Sequence, residues 1–222
     1  MEEIAKRIEH TLLRPEATRA DIERLCAEAG RYGFYGVCVN GSRVALARHL
    51  LEDADVKVVA VVGFPLGACD PDVKRFEAEA AFDEGAHEVD MVLNIGFLKE
   101  GEDRRLVREI RDVVEAADGR PVKVIVEACL LTREEKIRAC ELIRFSGARF
   151  VKTSTGFARS GATVEDVRLL REAVGPNLGV KAAGGIRTLR ALRQMVEAGA
   201  DRIGTSSGTA IMEELRRERA DG

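Results

Sequence analysis

Short runs of β-branched and other apolar residues alternate along the whole chain with longer stretches whose apolar positions recur every three to four residues. The short runs predict strands at Ile8–Leu12, Tyr35–Val39, Lys57–Val62, Glu88–Leu93, Val122–Ala128, Arg149–Thr153, Leu178–Ala182 and Asp201–Gly204. A helical pattern separates each strand from the next, so the repeating unit is βαβ and the sheet is parallel. Runs such as VKVVAVV and VKVIVEA are apolar at nearly every position, as strands covered on both faces must be. Eight such units predict an α/β fold, a closed (β/α)8 TIM barrel. Closure leaves no sheet edge to protect, whereas a doubly wound open sheet, the other reading of the same pattern, leaves two.

The helix boundaries carry their own chemistry. Asp70-Pro71 reads as an N-cap followed by proline in the first turn, and Thr132 with Glu135 reads as a capping box. Thr18, Thr163 and Thr188 are further N-cap candidates. A Gly-Ala step at 85–86, 147–148 and 199–200 precedes a strand each time, where glycine can take the left-handed conformation that ends a helix. The charged amphipathic start, MEEIAKRIEH, predicts a short N-terminal helix and is no signal peptide. Nothing in the composition divides residues 1–222, so a single domain is expected.

Composition narrows the function. The net charge of −3 gives no reason to expect a nucleic-acid partner, and no apolar run is long enough for a membrane span. Five cysteines without a C-x-x-C pair predict neither a disulfide framework nor a zinc site, and a reducing cytoplasm is the expected location. His10, His49 and His87 have no metal-ligand spacing, so no metal is expected. Only eight of the 35 basic residues are lysines, which makes the position of each one informative.

Two lysines fall late in neighbouring strands: Lys152, followed by Thr153-Ser154-Thr155-Gly156, and Lys181, followed by Ala182-Ala183-Gly184-Gly185. In a barrel of this kind, strand C-terminal ends carry the functional groups. Two ammonium groups ~4 Å apart at an effective dielectric near 20 repel by about 4 kcal/mol, enough to favour the neutral amine on one of them. A neutral lysine beside a cationic one suits attack on a carbonyl and Schiff-base formation. Asp90, inside an otherwise apolar strand, could relay protons between these amines and substrate, or serve as the counter-ion of Lys181, or both. Lys123 and Glu127, four residues apart on one strand face, read first as an internal ion pair. Cys38 and Cys129 read as packing residues. Gly184-Gly185 with Arg187, and Gly204 with Ser206 and Ser207, each precede a helix after the last two strands, where barrels often hold phosphate.

The segments HTLL (10–13), EVDMVLN (88–94), KVIVEACLLT (123–132), VKTSTGF (151–157), VKAAGGIRT (180–188) and GTSSG (204–208) resemble those of the deoxyribose-phosphate aldolases, in order, over about residues 4 to 212. The resemblance implies a Schiff-base lysine at Lys152, a second lysine that perturbs it at Lys181 and a proton-relay carboxylate at Asp90. It implies phosphate contacts at Gly156, Gly184, Gly185, Ser206 and Ser207, with Thr155, Arg187 and Gly204 in the same binding region. The implied reaction cleaves 2-deoxy-D-ribose 5-phosphate to D-glyceraldehyde 3-phosphate and acetaldehyde with no cofactor, in a homo-oligomer (dimer or tetramer). Three positions depart from the family pattern. Glu9 stands where many members have aspartate, and a role for that acid is not expected. Phe157 stands where some members have a lysine near the phosphate, and the tail ELRRERADG lacks the tyrosine that assists proton transfer in longer relatives. Another phosphosugar aldolase, an isomerase and a non-catalytic phosphosugar-binding barrel are the competing readings. The two lysines with Asp90 argue against the last two.

Overall fold

The computed structural model describes residues 1–220; the last two residues of the tail lie outside the described residues. Eight parallel strands close on themselves in chain order: β1 (Ile8–Leu12), β2 (Gly36–Val39), β3 (Lys57–Val62), β4 (Glu88–Val92), β5 (Val122–Ile125), β6 (Phe150–Lys152), β7 (Gly179–Ala183) and β8 (Arg202–Thr205). β8 pairs back onto β1, with His10 opposite Thr205, which excludes the open sheet.

A four-residue helix, α1 (Glu2–Ala5), precedes the barrel. The layer outside it holds α2 (Arg19–Tyr32), α3 (Val44–Leu50), α4 (Pro71–Asp83), α5 (Ile95–Glu100) and α6 (Asp103–Ala116). It continues with α7 (Arg133–Ser146), α8 (Val164–Val174), α9 (Leu189–Glu197) and α10 (Gly208–Ala220). The main hydrophobic core lies between strands and helices; Ile8, Val37, Val58, Val89, Val124, Val151, Val180 and Ile203 each point outward into it. No helix among the described residues is long and apolar enough to cross a membrane.

The anticipated caps form. Asp70 accepts from the Asp72 N–H with Pro71 beside it, and Thr132 and Glu135 complete a capping box. Thr18, Thr163 and Thr188 each accept an N–H three residues on. Gly85, Gly147 and Gly199 all have positive φ.

Only one strand differs from expectation by more than a residue at an end. β5 ends at Ile125 rather than running to Ala128, because Glu127 takes a left-handed conformation (φ 48°) and a 3-10 turn follows at Ala128–Leu130. Glu127 therefore does not share a strand face with Lys123. Its carboxylate accepts instead from the Thr155 N–H, at 3.2 Å, and from the Thr155 hydroxyl.

Candidate active site

Parallel strands alternate their side chains between the outer core and the barrel interior. The interior of this barrel is unusually charged. Glu9 of β1, Glu88 and Asp90 of β4, Lys123 of β5, Lys152 of β6 and Lys181 of β7 are all buried and meet across it. Cys38, Val59 and Val61 form the small apolar part of the same space.

Asp90 is the junction. Its Oδ2 accepts from Lys152 Nζ at 2.8 Å and from Lys181 Nζ at 2.6 Å, and its Oδ1 accepts from Lys123 Nζ at 2.9 Å. Lys152 and Lys181 are register partners on adjacent strands, as their sequence positions predict. The counter-ion reading of Asp90 fits what Lys181 contacts, but a second carboxylate joins it. The Lys181 ammonium also contacts Glu9, so two carboxylates face it. Burial pulls the Lys181 pKa down, but Asp90 and Glu9 outweigh that and the net shift is upward. Lys123 behaves alike: burial lowers its pKa, and Asp90, Glu9 and Glu88 carry it well above the ordinary lysine value. For Asp90, burial pushes the pKa up while Lys123, Lys152 and Lys181 hold it well below the usual carboxylate range. Lys181 and Lys123 are thus settled cations and Asp90 a settled anion. Lys152 has a single carboxylate partner.

A cavity of about 320 Å³ opens at the C-terminal ends of β6, β7, β8 and β1. Lys152 lines it, whereas Lys181 and Asp90 lie beneath with no solvent exposure. Thr155, Gly156, Gly184, Gly185, Arg187, Gly204 and Ser206 also line it; Ser207 does not, and its N–H is directed to the Thr205 hydroxyl at 2.9 Å. The loops after β7 and β8 are tied together, since the Thr205 hydroxyl donates to the Ile186 carbonyl at 2.6 Å. The loop after β6 packs on Gly184, whose carbonyl accepts from the Ala162 N–H at 3.1 Å. That approach requires glycine on both sides: a Cβ on Gly161 would lie 2.2 Å from the Gly184 oxygen, and Gly184 itself has φ 92°. Phe157 and Arg14 complete the rim, and Phe157 meets Phe64 edge to face at 5.3 Å. A larger apolar groove of about 940 Å³ runs over the start of α4 but is lined by none of the lysines, so of the two the charged cluster opens only on the smaller cavity.

Three members of the charged cluster escaped the sequence reading. Glu9 is fully buried on Lys181, a contact that its sequence position did not announce. Lys123 reaches Glu88 at 2.6 Å as well as Asp90, instead of pairing with Glu127. The signal was present, a charged residue inside an apolar strand, but its partners lie on strands distant in sequence. The histidines are dispersed: His10 pairs with Glu28 at 2.8 Å, His87 accepts from the Val58 N–H at 2.9 Å and His49 lies on α3. Cys38 lies 4.0 Å from Asp90 Oδ2, and burial pushes its thiol up to about 11. All five cysteines are free.

The chain is similar to proteins of known class over nearly its full length. A deoxyribose-phosphate aldolase of Thermococcus gammatolerans is 59% identical over 218 residues, 96% of this chain and 97% of its own. One from a Geobacillus species is 58% identical over 211 residues, 95% of each. Among solved structures, QR15, an aldolase, superposes with a TM-score of 0.95 at 40% identity, covering 99% of both chains. The deoxyribose phosphate aldolase of Aeropyrum pernix, described as tetrameric, superposes with a TM-score of 0.91 at 36% identity over 97% of this chain and 92% of that one. Residues 4–214 match the DeoC/LacD family aldolases, and the chain belongs to that family.

Proposed function

We propose that this chain catalyses the reversible cleavage of 2-deoxy-D-ribose 5-phosphate to D-glyceraldehyde 3-phosphate and acetaldehyde, through a Schiff base on Lys152. The observation that carries the reading is that Lys152 alone of the three buried interior lysines lines the cavity. It is also the lysine with the fewest anionic partners, one against two for Lys181 and three for Lys123. An amine must be neutral to attack a carbonyl, and the lysine with a single carboxylate partner has the least ion pairing to break in becoming so.

The neutral Lys152 amine attacks the C1 aldehyde of the open-chain sugar, and the carbinolamine loses water to give an iminium. A proton leaves the C3 hydroxyl, the C2–C3 bond breaks, and its electron pair passes to the iminium to form an enamine. Glyceraldehyde 3-phosphate departs. Protonation of the enamine carbon and hydrolysis then release acetaldehyde and restore the amine. Asp90 is 2.8 Å from Lys152 and is held ionised by three ammonium groups. Its Oδ2 is shared by Lys152 and Lys181, so it offers a hydrogen-bonded route for a proton between the two amines. Lys181 acts by keeping that carboxylate engaged. The glycine loops at 184–185 and 204–206, with Thr155, Gly156 and Arg187 beside them, supply the phosphate subsite, and Ser207 contributes through the same loop. Backbone amides and the Arg187 guanidinium suit a dianion.

We assign the chain as a single-domain enzyme of the cytoplasm, consistent with five unpaired thiols, that assembles as a dimer or tetramer. The tetrameric Aeropyrum relative supports self-association. Borohydride trapping with deoxyribose 5-phosphate or acetaldehyde, followed by peptide mass mapping, tests the mechanism. An adduct on Lys152 is expected; one on any other residue overturns it.

A further inference from the structure

Lys123 has no part in the steps above, yet it is fully buried and sits in the centre of the charged cluster without lining the cavity. Its ammonium is 2.9 Å from Asp90 Oδ1, 2.6 Å from Glu88 Oε2 and 3.6 Å from Glu9 Oε1. Burying a lysine that only fills space is costly, and a methionine of similar volume would do that more cheaply.

The groups around it can be taken strand by strand. β1 supplies Glu9, and β4 supplies Glu88 and Asp90. β6 and β7 present Lys152 and Lys181 on the far oxygen of Asp90. β8 brings Arg202, whose guanidinium is 3.9 Å from Glu9 Oε1. From the β2 side come the Cys38 thiol, 4.0 Å from Asp90, and the Tyr35 hydroxyl, which donates to Glu88. β3 faces the interior with Val59 and Val61. Lys123, Lys181 and Arg202 then balance Glu9, Glu88 and Asp90, three charges against three, before Lys152 is counted.

We propose that Lys123 is a positioning residue for Lys152: it holds Oδ1 of Asp90 so that Oδ2 serves Lys152 and Lys181, and its charge completes a cluster that is neutral when the Lys152 amine is neutral. This rests on the Schiff-base reading given above. Removing the Lys123 charge leaves the cluster one cation short, and Lys152 is the nearby amine that can make up the deficit by keeping its proton. Removing Glu88 leaves the cluster one anion short and favours the free Lys152 amine. The two substitutions therefore push Lys152 in opposite directions, which loss of packing cannot do.

The test is the initial rate of borohydride trapping of acetaldehyde on Lys152, followed by mass across the neutral pH range, in the full-length protein. Lys123→Met is expected to move the pH midpoint of trapping upward and to slow trapping at neutral pH by ~10-fold. Glu88→Gln is expected to move the midpoint downward. Neither residue lines the cavity, so kcat for deoxyribose 5-phosphate should fall in Lys123→Met while KM changes less than about threefold. Midpoints that stay put or move in the same direction in both variants overturn the proposal. If Lys123→Met does not fold, Glu88→Gln decides alone: a lower midpoint supports the proposal, and an unchanged or higher one overturns it. A wild-type protein that forms no adduct on Lys152 removes the Schiff-base reading itself, a failure distinct from the other two.

Discussion

Glu109 and Asp90 are both buried with lysines against them, and their pKa values move in opposite directions. Glu109 of α6 meets one lysine, Lys74 of α4, at 2.7 Å with both side chains fully buried. Its Oε1 also accepts from the Asn94 N–H at 3.2 Å, while Oε2 has no partner. Burial dominates there and the Glu109 pKa is raised. Asp90 suffers the same burial but faces three lysines, and its pKa falls well below the ordinary range. The number of cations per carboxylate, not burial, decides the sign. The pair is a tether: Lys74 also donates to the Val92 carbonyl at 2.9 Å and so holds the end of the strand that carries Asp90. The cluster is built differently. Three amines share one carboxylate, and the amine with no second carboxylate faces the cavity.

Substitutions can separate these roles. The largest effect is expected from Lys152→Leu, which should abolish trapping and lower kcat/KM by at least ~10⁴-fold with the fold intact by circular dichroism. Lys181→Leu should lower kcat at neutral pH by ~10²–10³-fold, because Asp90 loses one of the two amines on Oδ2; near-normal steady-state activity would contradict the shared-carboxylate account. Lys74→Met should behave in the opposite manner. Denaturant melts should show a loss of about 3–5 kcal/mol, since Glu109 is left buried and unpaired, while kcat stays within about threefold. Lys74→Met/Glu109→Leu should recover most of that loss, because it removes both charges.

The smallest effect concerns acid stability. Asp90, with its pKa depressed, stabilises the fold above the ordinary carboxylate range, and that contribution is lost as pH falls through its folded value. Glu109, with its pKa raised, does the reverse: its contribution grows as pH falls from neutral through its raised value. Urea midpoints measured from neutral pH down through and below the ordinary carboxylate pKa should therefore depend less steeply on pH in Asp90→Asn than in the wild type. In Lys74→Met/Glu109→Leu the dependence should be steeper, by an amount equivalent to a few °C in Tm at most.

Most of the barrel was legible in the chain because its signals are local. Strand alternation, threonine and aspartate caps, and the Gly-Ala steps depend on residues a few positions apart, and each appears where the pattern puts it. The overlong β5 is instructive. Val126 and Ala128 are as apolar as the strand before them, and only the turn at Glu127, fixed by Thr155 some 28 residues on, ends the strand early. Part of the site was legible for the same reason. A lysine late in a buried strand is costly anywhere, so Lys152, Lys181 and Asp90 stand out without knowledge of their neighbours.

What the sequence by itself determined, then, is an eight-fold βαβ chain with its helix ends marked, two lysines in register on adjacent strands, and glycine loops after the last two strands. Which lysine keeps the fewest carboxylate partners was decided only by closure. Bringing β1 beside β8 delivers Glu9 to Lys181, and the curvature of the sheet delivers Lys123 to Asp90 and Glu88. Sequence proximity suggested that the two strand lysines would repel each other toward neutrality. The barrel instead supplies Lys181 with two carboxylates and leaves Lys152 with one, because charge compensation in a low-dielectric interior depends on distance through space.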